Sequence, residues 1–146
     1  MISYKKLKSE EDRIKESNRI ICKHPTYIPV IIETDDKKIK LSKRKFLAPN
    51  YASASYLSVT IQKHLPKEIT KNGQISIPMF YKYKTTKKNF LGVETEVENT
   101  VMINGTNMMS DVYNDYKNRN NIKENSQADI FLYIFVICES TFGVSL

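Results

Sequence analysis

One nine-residue stretch, Ile130–Cys138, constrains this chain more than any other, because every side chain in it is apolar. It is rich in β-branched and aromatic residues and is bounded by polar segments, so it reads as a central strand covered on both faces. It falls far short of the roughly 20 residues that a membrane-spanning helix needs. A central strand needs neighbours, and the chain offers several. Tyr27–Glu33 is strand-like, with Pro29 near its beginning, where an unpaired edge position tolerates the missing N–H. After the polar turn Asp35–Lys38, Phe46–Pro49 reads as a second short strand antiparallel to it. Ile75–Tyr83, carrying Pro78, and Val101–Ile103, followed by the Asn104-Gly105 turn, supply two more.

Helices fall between these strands. Ser9-Glu10-Glu11-Asp12 combines a capping hydroxyl with acids in a first turn, predicting a helix to about Lys23 that stops before Pro25. A small helix over Ser3–Leu7 precedes it. From Ser53 to Leu65, Ala54, Leu57, Ile61 and Leu65 recur at helical spacing, and Ser110–Lys117 offers Val112, Tyr113 and Tyr116 to one face. Two polar stretches, Thr86–Thr100 and Asn118–Ser126, read as surface insertions that loop out of the core. The order predicts an α+β protein, a mixed sheet with helices on one face in the layout of a β-grasp fold.

Composition narrows the function. With 146 residues, 40% hydrophobic and 27% charged, the chain suits one globular domain. The opening Met1-Ile2-Ser3-Tyr4-Lys5-Lys6 has no apolar stretch behind its charges, so no secretory signal is expected and an intracellular protein is. Cys22 and Cys138 lack the spacing of zinc or redox sites and have no His and Asp arrangement suggesting a triad; reduced structural thiols are expected. His24 and His64 are isolated, and no phosphate-cradling loop or metal constellation appears. No catalytic residue, metal or cofactor is therefore expected. The excess of 23 Lys and Arg over 16 acids, a net charge of +7, favours anionic partners without choosing among them.

Four blocks carry a resemblance. They are Arg13-Ile14-Lys15-Glu16 through Lys23-His24-Pro25 to Ile28-Pro29-Val30-Ile31-Ile32-Glu33; Lys43-Arg44-Lys45-Phe46-Leu47-Ala48-Pro49; Met109-Ser110-Asp111-Val112-Tyr113; and Phe131-Leu132-Tyr133-Ile134 through Glu139-Ser140-Thr141-Phe142-Gly143. In order and spacing they resemble the autophagy ubiquitin-like modifiers, the family of GABA-receptor-associated protein and microtubule-associated-protein light chain 3. The resemblance implies a ubiquitin-like β-grasp mixed sheet with an added N-terminal helical region. One domain spans 1–143, with N-terminal helices in 1–24 and insertions near 86–100 and 118–126, and the tail 144–146 is cleaved.

It also implies a mechanism centred on Gly143, preceded by Phe142. In this family a cysteine protease trims the chain after that glycine. Activating and conjugating enzymes then carry the exposed carboxylate through an adenylate and thioesters to the amine of phosphatidylethanolamine. A glycine suits a narrow enzyme channel because it has no side chain and a flexible backbone. Such a protein is a substrate of enzymes, cytoplasmic until lipidation places it on autophagosomal or related membranes.

The second implied activity is binding of receptors with acidic aromatic-x-x-aliphatic motifs, added as a strand beside the second strand. The aromatic pocket maps to Glu16, Ile20, Pro29, Ile31, Lys45, Leu47 and Phe131, and the aliphatic pocket to Phe46, Ala48, Pro49, Leu57 and Ile61. Lys43, Arg44 and Lys45 meet the acids flanking the motif. Strand alternation forbids Lys45 and Phe46 from sharing a face. The chain departs from the family at Ala48 and Ala52, where larger aliphatic residues are usual, at Tyr27, usually basic, and in the two insertions.

Three alternatives stand beside this reading. One keeps the fold without conjugation, as a peptide-binding adaptor. A sibling modifier that joins a protein lysine usually ends at its glycine, unlike this chain. The last is a basic nucleic-acid-binding domain, suggested by Lys37-Lys38-Ile39-Lys40 and Tyr81-Lys82-Tyr83-Lys84 but lacking an RNA-binding signature, so no nucleic acid is expected.

Overall fold

A computed structural model describes residues 1–67, 77–124 and 127–137. The expected cleavage site at Gly143, Cys138, the tail and the first residues of the expected Ile75–Tyr83 strand lie outside the described residues. Strand β1 (Tyr27–Glu33) pairs antiparallel with β2 (Lys45–Pro49) and parallel with β5 (Leu132–Val136). Strand β3 (Met79–Lys88) pairs antiparallel with both β4 (Glu94–Ile103) and β5. The sheet order is β2-β1-β5-β3-β4, a mixed sheet with the all-apolar strand at its centre. Val30, Ile31, Ile32, Leu132 and Ile134 are all fully buried. Each such side chain contributes about 1.5–3 kcal/mol, so the two central strands anchor the core.

Strand β1 is interior, not an edge, and Pro29 is tolerated for a different reason. The Ile32 amide donates to Arg44 O, so even-numbered residues of β1 face β2 and odd-numbered ones face β5. The β5 ladder begins only at Val30. The missing N–H of Pro29 therefore points to where no partner strand has yet started.

The register divides the side chains between two faces, and both are covered. Helices α1 (Tyr4–Leu7) and α2 (Glu10–Lys23) lie on the face of Pro29, Ile31, Glu33 and Phe131. There the Tyr4 amide donates to Glu33, and the Tyr4 ring meets Phe131 edge-on at 5.8 Å. Ser9 caps α2 by accepting from the Asp12 amide, as its sequence signalled. Helices α3 (Ala54–Gln62) and α4 (Met109–Arg119) cover the opposite face, with Ala54, Leu57, Ile61, Val112, Tyr113 and Tyr116 buried. Helices on one face alone would have left Phe131 and Tyr133 in water; the N-terminal helices prevent that.

Of the two polar stretches, the first is not a loop, and the second leaves the helix after Arg119 as expected. Thr86–Thr100 completes a hairpin of two ten-residue strands in which Val101–Ile103 is merely the end of β4. Its lysines and glutamates lie across the two strands, Lys82 from Glu98 at 3.2 Å, Lys84 from Glu96 at 3.7 Å and Lys88 from Glu94 at 3.5 Å. Opposite charges facing each other across a pair stabilise the ladder, so a polar run became strand rather than coil. Asn118 and Arg119 continue α4, and Asn121, at φ 56°, turns the chain after it. The same pairing removes the basic stripe that Tyr81–Lys84 suggested. Tyr81 is buried and bonded to Asp115, and Lys82 and Lys84 meet glutamates.

Among the described residues, no helix is long and apolar enough to cross a membrane, and no group of His, Cys, Asp and Glu could hold a metal ion.

Candidate peptide-binding groove

Strand β2 ends the sheet, so one side of its backbone is open. Arg44 O and the Asn50 amide both bond toward β1, which turns the even-numbered residues inward. Lys45 and Leu47 therefore present their N–H and C=O groups outward, and Pro49 ends the row of donors.

Beside this edge runs a groove of about 670 Å³ between α2 and β2. Ile20, Pro29, Lys43, Lys45, Phe46, Leu47 and Phe131 line it, so the fold brings these sequence-predicted residues together. Ile31 lies beneath them, fully buried. Leu47 is 41% exposed, an apolar side chain left open beside the strand edge.

The other predicted residues lie elsewhere. Leu57, Ile61 and Ala48 are buried on the α3 face at 1% exposure or less, whereas Phe46, a lining residue only 5% exposed, packs its ring 5.4 Å from that of His64. Pro49 is also buried. Apart from Phe46, these residues are core beneath the surface and do not themselves form an open pocket. Arg44 is occupied as well: it donates to Glu33 at 2.6 Å and to Ile2 O at 2.7 Å, tying the N-terminal segment to the sheet. Of the three cations expected to meet acids, it is withdrawn.

Arg19, Lys23, His24 and Thr60 also line the groove, although the sequence assigned none of them to the peptide site. Arg19 and Lys23 are one helical turn apart and flank Ile20, a spacing that the predicted helix already contained. With Lys43 they replace the charge that Arg44 does not provide.

Glu16 is not among the residues that line the groove and meets it only through Lys45. It accepts from Lys45 Nζ at 2.6 Å and from the Tyr4 hydroxyl at 2.8 Å, joining α1, α2 and β2. Burial opposes the charged carboxylate, but the hydrogen bonds from Lys45 and Tyr4 outweigh it and hold Glu16 below its ordinary range. Unfolding at low pH therefore takes up a proton at Glu16. Its contribution is complete above the unfolded-chain value, about 4, and is lost as pH falls through the lower folded value. Glu16→Gln is expected to flatten this acid limb, read as urea midpoints between pH 7 and pH 2. An unchanged acid limb would mean that the three-way contact contributes nothing to stability.

The segment that builds this groove carries a family signature. The family model "Autophagy protein Atg8 ubiquitin like" matches residues 12–73, which take in most of α2 and all of β1, β2 and α3. Autophagy-related protein 8h of Arabidopsis thaliana is 27% identical over 143 residues, 97% of this chain and 95% of that one. The chain resembles the Atg8 family of ubiquitin-like autophagy proteins. Two solved Atg8 structures share its fold. Trypanosoma brucei ATG8 aligns with a TM-score of 0.63 at 22% identity, covering 95% of this chain and 96% of that one. Plasmodium falciparum Atg8, solved with a Plasmodium falciparum Atg3 peptide, gives 0.59 at 21%, covering 94% and 96%. Against that family the chain carries a long β3–β4 hairpin, in the stretch that its sequence marked as an insertion.

Proposed function

We propose that this chain is a conjugated modifier that recruits receptors along β2. The observation that carries the recruiting role is the open backbone of Lys45 and Leu47 beside an apolar, cation-flanked groove. A peptide added antiparallel or parallel to β2 would place residues i and i+3 on opposite faces, because strand side chains alternate. An aromatic residue at i enters the groove against Ile20, Pro29, Leu47 and Phe131. An aliphatic residue at i+3 then lies on the α3 side, above Phe46, Ala48, Leu57 and Ile61. Seating it requires α3 to part slightly from β2. Acids before the motif meet Arg19, Lys23 and Lys43, or compete with Glu16 for Lys45.

Leu47→Arg is the clean test. It puts charge into the groove wall at an exposed position, so folding survives while binding of an acidic aromatic-x-x-aliphatic peptide falls at least about thirtyfold, the scale of an interface hot spot. Phe46→Ala is not equivalent, because emptying a buried Phe site costs about 3–5 kcal/mol of stability. Fluorescence anisotropy with a labelled peptide reads the difference. Equal affinities for wild type and Leu47→Arg would place the peptide elsewhere.

The conjugation half of the proposal rests on the resemblance of Glu139–Gly143 to the family tail. A cysteine protease removes Val144-Ser145-Leu146, activating and conjugating enzymes handle the exposed Gly143, and phosphatidylethanolamine accepts it. The Atg3 peptide bound to the Plasmodium relative supports a conjugating enzyme among the partners. The chain is then the substrate of these enzymes, held in the cytoplasm before conjugation and on autophagosomal or related membranes after it.

A further inference from the structure

The β3–β4 hairpin has a second feature besides its length. Among the described residues, β3 beyond Phe80 has no strand partner except β4, and α4 accompanies it as far as Tyr83, whose ring lies 5.0 Å from Arg119. Every residue from Lys84 to Glu96 is exposed. The hairpin thus projects as a two-stranded finger, with Lys88 about 26 Å beyond Phe80 at ~3.3 Å per residue.

The end of that finger is apolar. Phe90 is 95% exposed, Leu91 73% and Val93 55%, and no charge lies between Lys88 and Glu94. Three such side chains on a convex tip offer far less than the ~800 Å² per partner of a stable protein interface.

The backbone of the tip is prepared for an apolar medium. Asn89 Oδ1 accepts from the amides of Leu91 and Val93. The Gly92 amide donates to Asn89 O, and the Asn89 amide to Val93 O. Gly92, at φ 80°, adopts the left-handed conformation that closes this turn. Internally bonded amides matter most where water is excluded, since hydrocarbon satisfies none of them. Immediately behind the tip stand Lys87 and Lys88, the latter sharing its charge with Glu94. Cations at that depth face headgroups while the apolar residues ahead of them leave water.

We propose that residues 90–93 form a reversible membrane-insertion element. Phe90, Leu91 and Val93 enter the interface of an anionic bilayer, and Lys87 and Lys88 meet its phosphate and carboxylate groups. The contact needs no conjugation, so it is tested on the full unconjugated chain.

The chain contains no tryptophan, so Phe90→Trp introduces a single reporter. With phosphatidylcholine vesicles containing phosphatidylserine, the expected result is a blue shift of its emission and quenching by brominated acyl chains. Phe90→Asp combined with Leu91→Asp is expected to lower vesicle co-sedimentation about tenfold or more, with an unchanged melting temperature because both sites are exposed. Omitting phosphatidylserine is expected to weaken binding. Absence of shift and quenching, or equal sedimentation of the double variant, overturns the proposal. Self-association that the double variant abolishes, without vesicle binding, assigns the tip to a second copy and overturns it too.

Discussion

Gly143→Ala is expected to leave the chain without its phospholipid. In the proposed mechanism the terminal carboxylate passes through two enzyme channels, and any side chain beside it obstructs both processing and transfer. A methyl group there blocks the route at its first step, so Val144-Ser145-Leu146 stays attached and no conjugate accumulates. The readout is intact mass, measured on protein from native membranes and from the soluble pool. Wild type from membranes is expected to end at Gly143 and carry the mass of a phospholipid, while Gly143→Ala ends at Leu146 in both pools. Mass is preferred to sedimentation because a reversible contact through the hairpin tip persists in the variant. Wild-type chains ending at Leu146 everywhere would sink the conjugation reading and leave a peptide-binding adaptor with the same fold.

The second large effect is on stability. Asp129 accepts from Arg13 at 2.6 Å, from the Tyr133 hydroxyl and from the Phe131 amide, and the Arg13 and Asp129 side chains are only 11% and 12% exposed. Burial, together with the Asp129 carboxylate, holds the Tyr133 hydroxyl protonated well beyond its ordinary range, so it serves as a donor throughout. Asp129→Ala strips three donors of their acceptor and leaves a guanidinium without its counter-charge. Breaking a buried pair from one side costs about 3–5 kcal/mol. For a domain of this size that lowers the melting temperature by roughly 10 °C. The contrast is Glu11→Ala, which removes an ion pair to Lys15 whose side chains are 77% and 73% exposed. That change is expected to cost at most about 0.5 kcal/mol. If Asp129→Ala melts within a degree or two of wild type, Arg13 reaches water and the buried network is not what joins α2 to β5.

Tertiary structure explains why the same residue types behave so differently at these sites. Lys45 and Arg44 are neighbours in a basic run, yet Lys45 stands at the groove while Arg44 is folded over Glu33 and Ile2. Phe46 and Leu47 are both apolar and both reach the groove, yet one is 5% exposed and the other 41%. Strand alternation decides each pair, and the partner elements that cover each face come from distant parts of the chain.

Local chemistry was sufficient for much of the fold. The apolar run Ile130–Cys138 could be satisfied only by a strand covered on both sides, and its described part became β5 at the sheet centre. Ser9 with the following acids marked the start of α2, and the spacing of Ala54, Leu57 and Ile61 marked the buried side of α3. In each case the determining contacts lie within a few residues, where periodicity and capping report them. The 86–100 hairpin lacked such a signal, because its stability comes from lysines meeting glutamates six to sixteen residues away. For the same reason only the folded chain could show that Glu16 clamps Lys45, that Leu57 and Ile61 are core, and that helices cover both faces of the sheet. Local sequence determined which elements form; long-range packing decided which side chains those elements leave exposed to a partner.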